Sequence, residues 1–288
     1  MPLLDVPVID THVHLWDKDN FRVSWIDGNP TLDREYGLAE FDQHSREVAP
    51  ESFVFVEAGI DPHYAFLEAE WVAGLAQQDR RLKGIVAAAP LEDGHHTRHY
   101  LDRLAALGPV VKGIRRLLQG EADPFFCLQP AFIEGVKMLP AYGFSFDICI
   151  INHQLPGAIE LVRRCPEVNF VLDHIAKPNI KAGELDPWRE NLAELAGLPN
   201  VACKVSGLVT EADLDNWTQA DLALYVAHVL EVFGEDRVIF GSDWPVAYQA
   251  TSYTRWVETL NNLTSHLSPE ARRKLWADNA RRVYRLDA

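Results

Sequence analysis

Eight short runs of β-type residues recur along the chain, and helix-type patterns lie between several of them. The runs cover residues 7–12, 52–59, 82–90, 109–116, 144–150, 169–174, 200–207 and 237–243. Amphipathic helix patterns cover residues 65–79, 97–107, 157–165 and 223–234. Eight alternations in one chain of this length predict the α/β class and, within it, a closed (β/α)8 TIM barrel.

A doubly wound parallel sheet is the alternative arrangement of the same elements. Such sheets usually carry a glycine-rich phosphate-binding turn, and the sequence contains neither G-x-G-x-x-G nor G-x-x-x-x-G-K. We therefore expect residues 1–288 to form a single barrel domain. The long irregular segment 17–51 follows the first strand, so we expect it to cover the face on which barrels hold their active sites.

The charge balance restricts the partners of the chain. There are 42 acidic and 27 basic residues, which gives a formal net charge of −15 and disfavours nucleic acid and anionic membranes. The sequence has no apolar run of membrane-spanning length and no signal-peptide pattern at its start. Its four cysteines form no C-x-x-C pair, so we expect reduced thiols and a cytoplasmic location. Homo-oligomer formation stays open.

Polar residues stand at the ends of the predicted strands. His12 and His14 end the first strand, Glu57 the second, His174 the sixth and Asp243 the eighth. The carboxyl ends of barrel strands meet at one face, where barrel enzymes build their active sites. A single histidine at a strand end is more often a structural hydrogen-bonding group. The occurrence of titratable residues at the ends of several strands instead favours an active site.

Other polar residues allow more than one interpretation. We expect Asp10 and Asp147 to be structural contacts below the site. Lys112, in "VVKGIRR", could be a buried cation, a carbamate-forming ligand or an anion binder, and Arg115 follows it. His153 lies just after the fifth strand, where it could enter a helix or face the site.

Three stretches carry a resemblance to a known family. "IDTHVHLWD", "FVLDHIAKP" and "VIFGSDWPV" occur in this order. Together they resemble the amidohydrolase superfamily, and within it the sugar-lactone hydrolase branch of L-fuconolactonases and L-rhamnonolactonases. The resemblance covers most of the chain, including "FVFVEAGID", "VKGIRRLLQG" and "KVSGL".

The resemblance implies a set of metal ligands and a metal. In members with one metal, the matching residues His12, His14, His153 and Asp243 surround a divalent ion such as zinc, and His174 contacts water or the substrate carbonyl. Two-metal members carry a bridging carbamylated lysine on the fourth strand. Lys112 is near that place, but its surroundings look like those of the lactonase branch, where no bridge is expected. That branch also includes enzymes that work without metal, so metal-independent activity stays open.

Hydrolysis of a lactone requires a base, an electrophilic group and an acid for the leaving oxygen. We expect Asp243 to act as the base and then as the proton donor, with His174 and His153 as further catalytic residues. Without a metal, the histidines and cationic side chains would stabilise the oxyanion. The residues expected to bind substrate are Lys112, Arg115, Trp25, Trp244 and Glu57.

The leading hypothesis is therefore hydrolysis of a sugar-acid lactone such as L-fuconolactone or L-rhamnonolactone. A muconolactone or pyrone-type lactone is the main alternative substrate, although a dicarboxylate would call for more arginines than the evident Arg115 and Arg116. A metal-dependent decarboxylase of the same superfamily is a second alternative. A non-catalytic sugar-acid binding protein is the alternative outside enzymes.

Overall fold

Eight parallel strands form one sheet in which each strand pairs with the next in sequence order. The computed structural model describes residues 3–286. Within them the strands are β1 (Ile9–Val13), β2 (Ser52–Val56), β3 (Leu82–Ala88), β4 (Val111–Arg115), β5 (Ser145–Ile148), β6 (Phe170–Leu172), β7 (Val201–Val205) and β8 (Val238–Phe240). The residues after β8 return to β1 through a parallel bridge between Val13 and Trp244. This closure confirms the predicted barrel and excludes the doubly wound sheet.

Helices surround the barrel and follow its strands. They are α1 (Leu38–Ser45), α2 (Ala65–Gln78), α3 (Thr97–Ala106), α4 (Pro130–Met138), α5 (Leu155–Arg164), α6 (Trp188–Ala196), α7 (Gln219–Phe233), α8 (Tyr253–Leu263), α9 (Pro269–Arg273) and α10 (Asn279–Tyr284). The strands are almost entirely buried, because their inner faces fill the barrel and their outer faces contact the helices. Within the described residues, every helix is too short or too polar to cross a lipid bilayer.

A bulge in β1 decides which of its side chains enter the barrel. Asp10 pairs with Phe53 and Val13 with Phe55, so β1 has one residue more than β2 between these pairs. The Asp10 carboxylate accepts a hydrogen bond of 2.9 Å from the hydroxyl of Tyr253 on the outer helix α8. Strict alternation along a regular strand would place Asp10 on the same strand face as His12. Asp10 is a structural residue, as expected, but it faces the outer layer.

The C-terminal helical region packs against several strands of the barrel. α9 continues through a π-helical turn, Lys274–Asp278, into α10. Ser268 accepts a hydrogen bond of 3.1 Å from the backbone N–H of Ala271 and so caps the start of α9. Apolar residues of the strands and of this region form a second core cluster, namely Ile9, Val54, Val56, Val86, Val171, Ile239, Ala277, Ala280, Tyr284 and Leu286.

The segment between β1 and β2 extends across the carboxyl ends of several strands. It contains a short 3-10 helix, Ser24–Ile26, followed by α1. The indole N–H of Trp25 donates to the carbonyl of Ala58, two residues beyond β2, over 2.8 Å. The amide of Asn29 donates to Gln249, beyond β8, over 2.8 Å. These contacts place the segment beside the strand ends where the predicted site residues lie.

Candidate active site

Three histidine rings surround the carboxylate of Asp243 at the carboxyl end of the barrel. The Nε2 atoms of His12 and His14 are 3.2 Å apart. Asp243 Oδ1 lies 3.4 Å from His14 Nε2, 3.7 Å from His12 Nε2 and 3.9 Å from His174 Nε2. All four side chains are buried. The structure therefore brings together the residues predicted at the ends of the first, sixth and eighth strands.

The hydrogen-bond partners of the first two histidines define the atoms that they present to the site. His14 Nδ1 lies 2.8 Å from the carbonyl of Val56, which can only accept, so Nδ1 carries the proton and Nε2 carries a lone pair. His12 Nε2 lies 3.3 Å from the guanidinium of Arg115, which can only donate, so this nitrogen also carries a lone pair. Two nitrogen lone pairs and a carboxylate oxygen therefore converge, and such an N/O set suits a cation such as zinc.

The site keeps a charged carboxylate beside the neutral imidazoles of His12 and His174. Burial lowers the pKa of His12 well below its ordinary value and that of His174 to about 4. Burial alone would raise the pKa of Asp243, but the neighbouring histidines His174, His14 and His12 together lower it below its usual range. At neutral pH Asp243 is therefore ionised and able to accept a proton.

A left-handed stretch of backbone turns His174 into the site. Alternation along β6 had grouped His174 with Phe170 and Leu172, yet those two side chains belong to the main core while Asp173 contacts His12 inside the barrel. His174, Ile175, Ala176 and Lys177 have φ angles of 52°, 49°, 62° and 48°. Four consecutive residues other than glycine in this region are costly, which is typical of functional segments held by their surroundings.

Neighbouring elements hold this left-handed stretch in place. The indole N–H of Trp188 on α6 donates to the carbonyl of Ile175 over 2.7 Å. The amide of Asn152, after β5, donates to the carbonyl of Lys177 over 3.0 Å. Ser206 Oγ lies 2.9 Å from His174 Nδ1 and orients the ring. The orientation of His174 is thus set by contacts from three other parts of the chain.

Arg115 and Glu57 form a buried ion pair under the histidines. Arg115 Nε donates to Glu57 Oε1 over 2.6 Å, and its Nη1 donates to Asp173 Oδ2 over 3.2 Å. Both Arg115 and Glu57 are only 3% exposed. The guanidinium also contacts His12. These two predicted substrate-binding residues therefore support the histidines, because their charges already satisfy each other.

Lys204 links the histidines to the barrel interior and was not among the predicted site residues. Its fully buried ammonium lies 2.8 Å from Asp173 Oδ1, 3.0 Å from Asp147 Oδ2 and 3.2 Å from His12 Nδ1. The hydroxyl of Tyr284 donates to the same oxygen of Asp147 over 2.5 Å. The inward alternation of Lys204 and Ser206 in "KVSG" was the sequence signal for this strand, and Asp147 has the structural role expected for it.

Within residues 3–286, two of the predicted residues make no hydrogen bond or ion pair with the cluster. Lys112 is near the start of β4, and its ammonium donates to the carbonyl of Arg285 over 2.9 Å, at the end of the barrel opposite the site. It lies three positions before Arg115 along the strand, a distance of about 10 Å. His153 belongs to a short 3-10 helix, Asn152–Gln154; it is exposed and, within residues 3–286, has no hydrogen-bond or ion-pair partner. The expected role of Lys112 at the histidine cluster is therefore corrected, whereas the role of His153 stays a prediction.

The two predicted rim tryptophans differ in accessibility. Trp25 is 47% exposed and lies beside the end of β2, so it is available to a ligand. Trp244 is 1% exposed, and its indole N–H donates to His44 Nδ1 over 3.1 Å. It packs against Phe41 and Tyr36 under the rim. The structure therefore removes Trp244 from the surface that a substrate could touch.

Comparison with known proteins agrees with this geometry. The family model described as "Amidohydrolase" matches residues 9–286, which include all eight strands. An L-fucono-1,5-lactonase of Burkholderia multivorans is 33% identical over 302 residues, with 96% of each chain covered. An L-rhamnono-gamma-lactonase of Scheffersomyces stipitis is 23% identical over 336 residues, with 97% of this chain and 98% of the relative covered. A solved amidohydrolase from Burkholderia multivorans with bound zinc has a TM-score of 0.87 and 31% identity, over 97% of this chain and 99% of that one.

Proposed function

This chain belongs to the amidohydrolase family, and we propose that it is a lactonase that opens the ring of a sugar-acid lactone by hydrolysis. The observation that carries the proposal is the ionised Asp243 carboxylate among the rings of His12, His14 and His174 at the mouth of the barrel. The two relatives named L-fucono-1,5-lactonase and L-rhamnono-gamma-lactonase support an aldonolactone as the substrate class.

The residues supply the proton transfers that the reaction needs. Asp243 accepts a proton from the attacking water while the water oxygen bonds to the lactone carbonyl carbon. The bond between that carbon and the ring oxygen then breaks, and Asp243 returns the proton to the departing oxygen. The net change is addition of one water, which yields a hydroxy acid. His174, neutral and 3.9 Å from Asp243, is placed to orient the water or the carbonyl.

We further propose that His12, His14 and Asp243 can hold one divalent metal, zinc being the best match to their nitrogen and oxygen atoms. The convergence of two imidazole lone pairs on a carboxylate oxygen supports this assignment. The bound zinc in the solved amidohydrolase from Burkholderia multivorans also supports it. When bound, the ion supplies a Lewis acid for the carbonyl oxygen. Hydrolysis by Asp243 and the histidines alone is the metal-independent alternative.

Substitution of Asp243 tests the function. We expect Asp243→Asn to lose at least ~10²-fold in kcat/KM, because amide groups accept protons poorly. The assay is proton release from a panel of L-fucono-, L-rhamnono- and muconolactones. Asp215→Asn, in the exposed loop after β7, is the control and should keep full activity. Near-normal turnover by Asp243→Asn, or no lactone hydrolysis by the wild type, would refute the proposal.

The wild type and Asp243→Asn also test whether the site binds a metal. After chelator treatment, added zinc should raise the Tm of the wild type and raise that of Asp243→Asn less, because one ligand is lost. Full activity in metal-depleted protein would instead favour the metal-independent alternative.

The cysteines bear on the location of the protein. We propose a cytoplasmic location, which the four free, buried thiols support because disulfides are rare in reducing compartments.

A further inference from the structure

The proposed hydrolysis creates negative charge from a neutral substrate. The lactone carbonyl becomes an oxyanion in the transition state and a carboxylate in the product. A cation that contacts this charge lowers the barrier, because it interacts with the transition state more strongly than with the neutral lactone. A positive side chain beside Asp243 would add such a contact to those of the histidines and of any bound ion.

The two cations that face the histidines are already engaged. Arg115 is 3% exposed and bonded to Glu57 and Asp173. Lys204 is 0% exposed and paired with Asp147 and Asp173. Releasing either one would leave a buried carboxylate without its partner, which is strongly unfavourable. Both cations therefore stabilise carboxylates inside the barrel and are not available to a substrate.

Lys177 combines a position beside the site with access from solvent. It is the last of the four left-handed residues that begin with His174, and its backbone N–H donates to the carbonyl of His174 over 2.8 Å. Its side chain is 20% exposed. Burial alone would lower the pKa of Lys177, but Cys149, Glu211 and Asp243 raise it, so the ammonium stays charged.

Glu211 is the partner that holds this ammonium in the absence of substrate. Lys177 Nζ lies 3.4 Å from Glu211 Oε1, and the Glu211 side chain is 25% exposed. Glu211 follows the short 3-10 helix Leu208–Thr210 that begins just after Ser206 and Gly207. The separation is longer than a charge-assisted hydrogen bond of 2.7–2.9 Å, so the pair is loose enough to open for a second anion.

We propose that Lys177 is the substrate-contacting cation of this site: its ammonium group pairs with the oxyanion and then with the carboxylate that form when the lactone ring opens. Glu211 positions the ammonium group between turnovers. The inference rests on the proposed lactonase activity and adds a residue to it. It also gives a reason for the left-handed stretch, which directs His174 and Lys177 to the same substrate.

Substitution of Lys177 separates this role from a structural one. We expect Lys177→Met to lower kcat by ~10²-fold or more, a size typical of one lost oxyanion contact, while KM for the neutral lactone changes less than ~3-fold. The affinity for L-fuconate, a sugar-acid carboxylate, should fall at least ~10-fold by calorimetry, while binding of the uncharged L-fucitol stays the same. Lys177→Arg keeps the charge and should restore at least a tenth of kcat.

Lys181 offers a matched control on the same pair of loops. Its ammonium lies 3.5 Å from Asp213 Oδ2, but the side chain is 67% exposed. Lys181→Met should leave kcat and L-fuconate binding within ~2-fold of the wild type, because exposed pairs contribute little.

The outcomes distinguish this inference from the proposed function. Normal kcat or unchanged L-fuconate affinity in Lys177→Met would overturn it while the lactonase proposal stands. Equal losses in Lys181→Met would overturn it as well. If Lys177→Met does not fold, Lys177→Arg decides: loss of L-fuconate affinity despite the retained charge would refute the role. A wild type that hydrolyses no lactone would refute the proposed function, and with it this inference.

Discussion

Gly207 stands where a single added methyl group should disable the site. Its φ is +64°, and a Cβ at this position would lie 2.5 Å from His174 Nδ1 and 3.0 Å from Asp243 Oδ2. Ordinary van der Waals contact begins at 3.4 Å. The His174 ring or the Gly207 backbone must therefore move by about 0.9 Å, the difference between the two distances, in Gly207→Ala.

The displacement has a predictable cost. Misplacement of a catalytic group by about 1 Å can cost ~10²-fold in rate, so we expect a loss of that size in kcat/KM. The left-handed backbone adds a stability cost of ~1–2 kcal/mol, because an alanine Cβ is unfavourable at this φ. That cost should lower the Tm by several degrees.

A second glycine separates the loss of activity from the loss of stability. Gly183, in the loop between β6 and α6, has a φ of +68°, but an added Cβ would meet nothing within 4 Å. Gly183→Ala should therefore lose similar stability and keep full activity. The assay is kcat/KM on a hydrolysed lactone together with thermal unfolding of both variants. If Gly207→Ala hydrolyses the lactone within ~3-fold of Gly183→Ala, the argument that His174 requires this close backbone approach is refuted.

Two further predictions concern the buried charges. Lys204→Met leaves the carboxylates of Asp147 and Asp173 without their shared cation, so the free energy of unfolding should fall by ~3–5 kcal/mol in denaturant titration; a loss below ~1 kcal/mol would contradict the network. Because the folded state lowers the pKa of His174 from 6.5 to about 4, the unfolded chain binds the extra proton between these values and stability should fall as pH drops from 6.5 to 4. The Tm of His174→Gln should therefore depend less on pH over this interval than that of the wild type, and parallel curves would exclude the effect.

The fold and the first layer of the site were predictable from local patterns. Strand and helix periodicities depend on neighbouring residues, so eight alternations sufficed to predict the barrel. His12, His14 and Asp243 stand at strand ends, and the carboxyl ends of barrel strands must meet at one face. Their convergence within 3.7 Å follows from the fold.

Predictions failed where they depended on how far along a strand a residue lies, or where the backbone departs from a regular strand. Lys112 and Arg115 occur in the same β4 strand, but only the residue at its carboxyl end reaches the histidines. His153 follows β5 closely in sequence and is exposed in a short 3-10 helix, so its role at the site stays a prediction. Alternation along a strand fails at the β1 bulge, where Asp10 faces α8.

The sequence by itself determined the barrel, its catalytic face and the metal-compatible trio at strand ends, because these depend on local periodicity and on the direction of parallel strands. Only the tertiary structure decided which cationic side chains remain available to a substrate. Arg115 and Lys204 are neutralised by carboxylates from distant strands, whereas Lys177 is partly exposed and pairs with the partly exposed Glu211. The free energy of a buried charge depends on its partners in space, and those partners come from strands far apart in sequence.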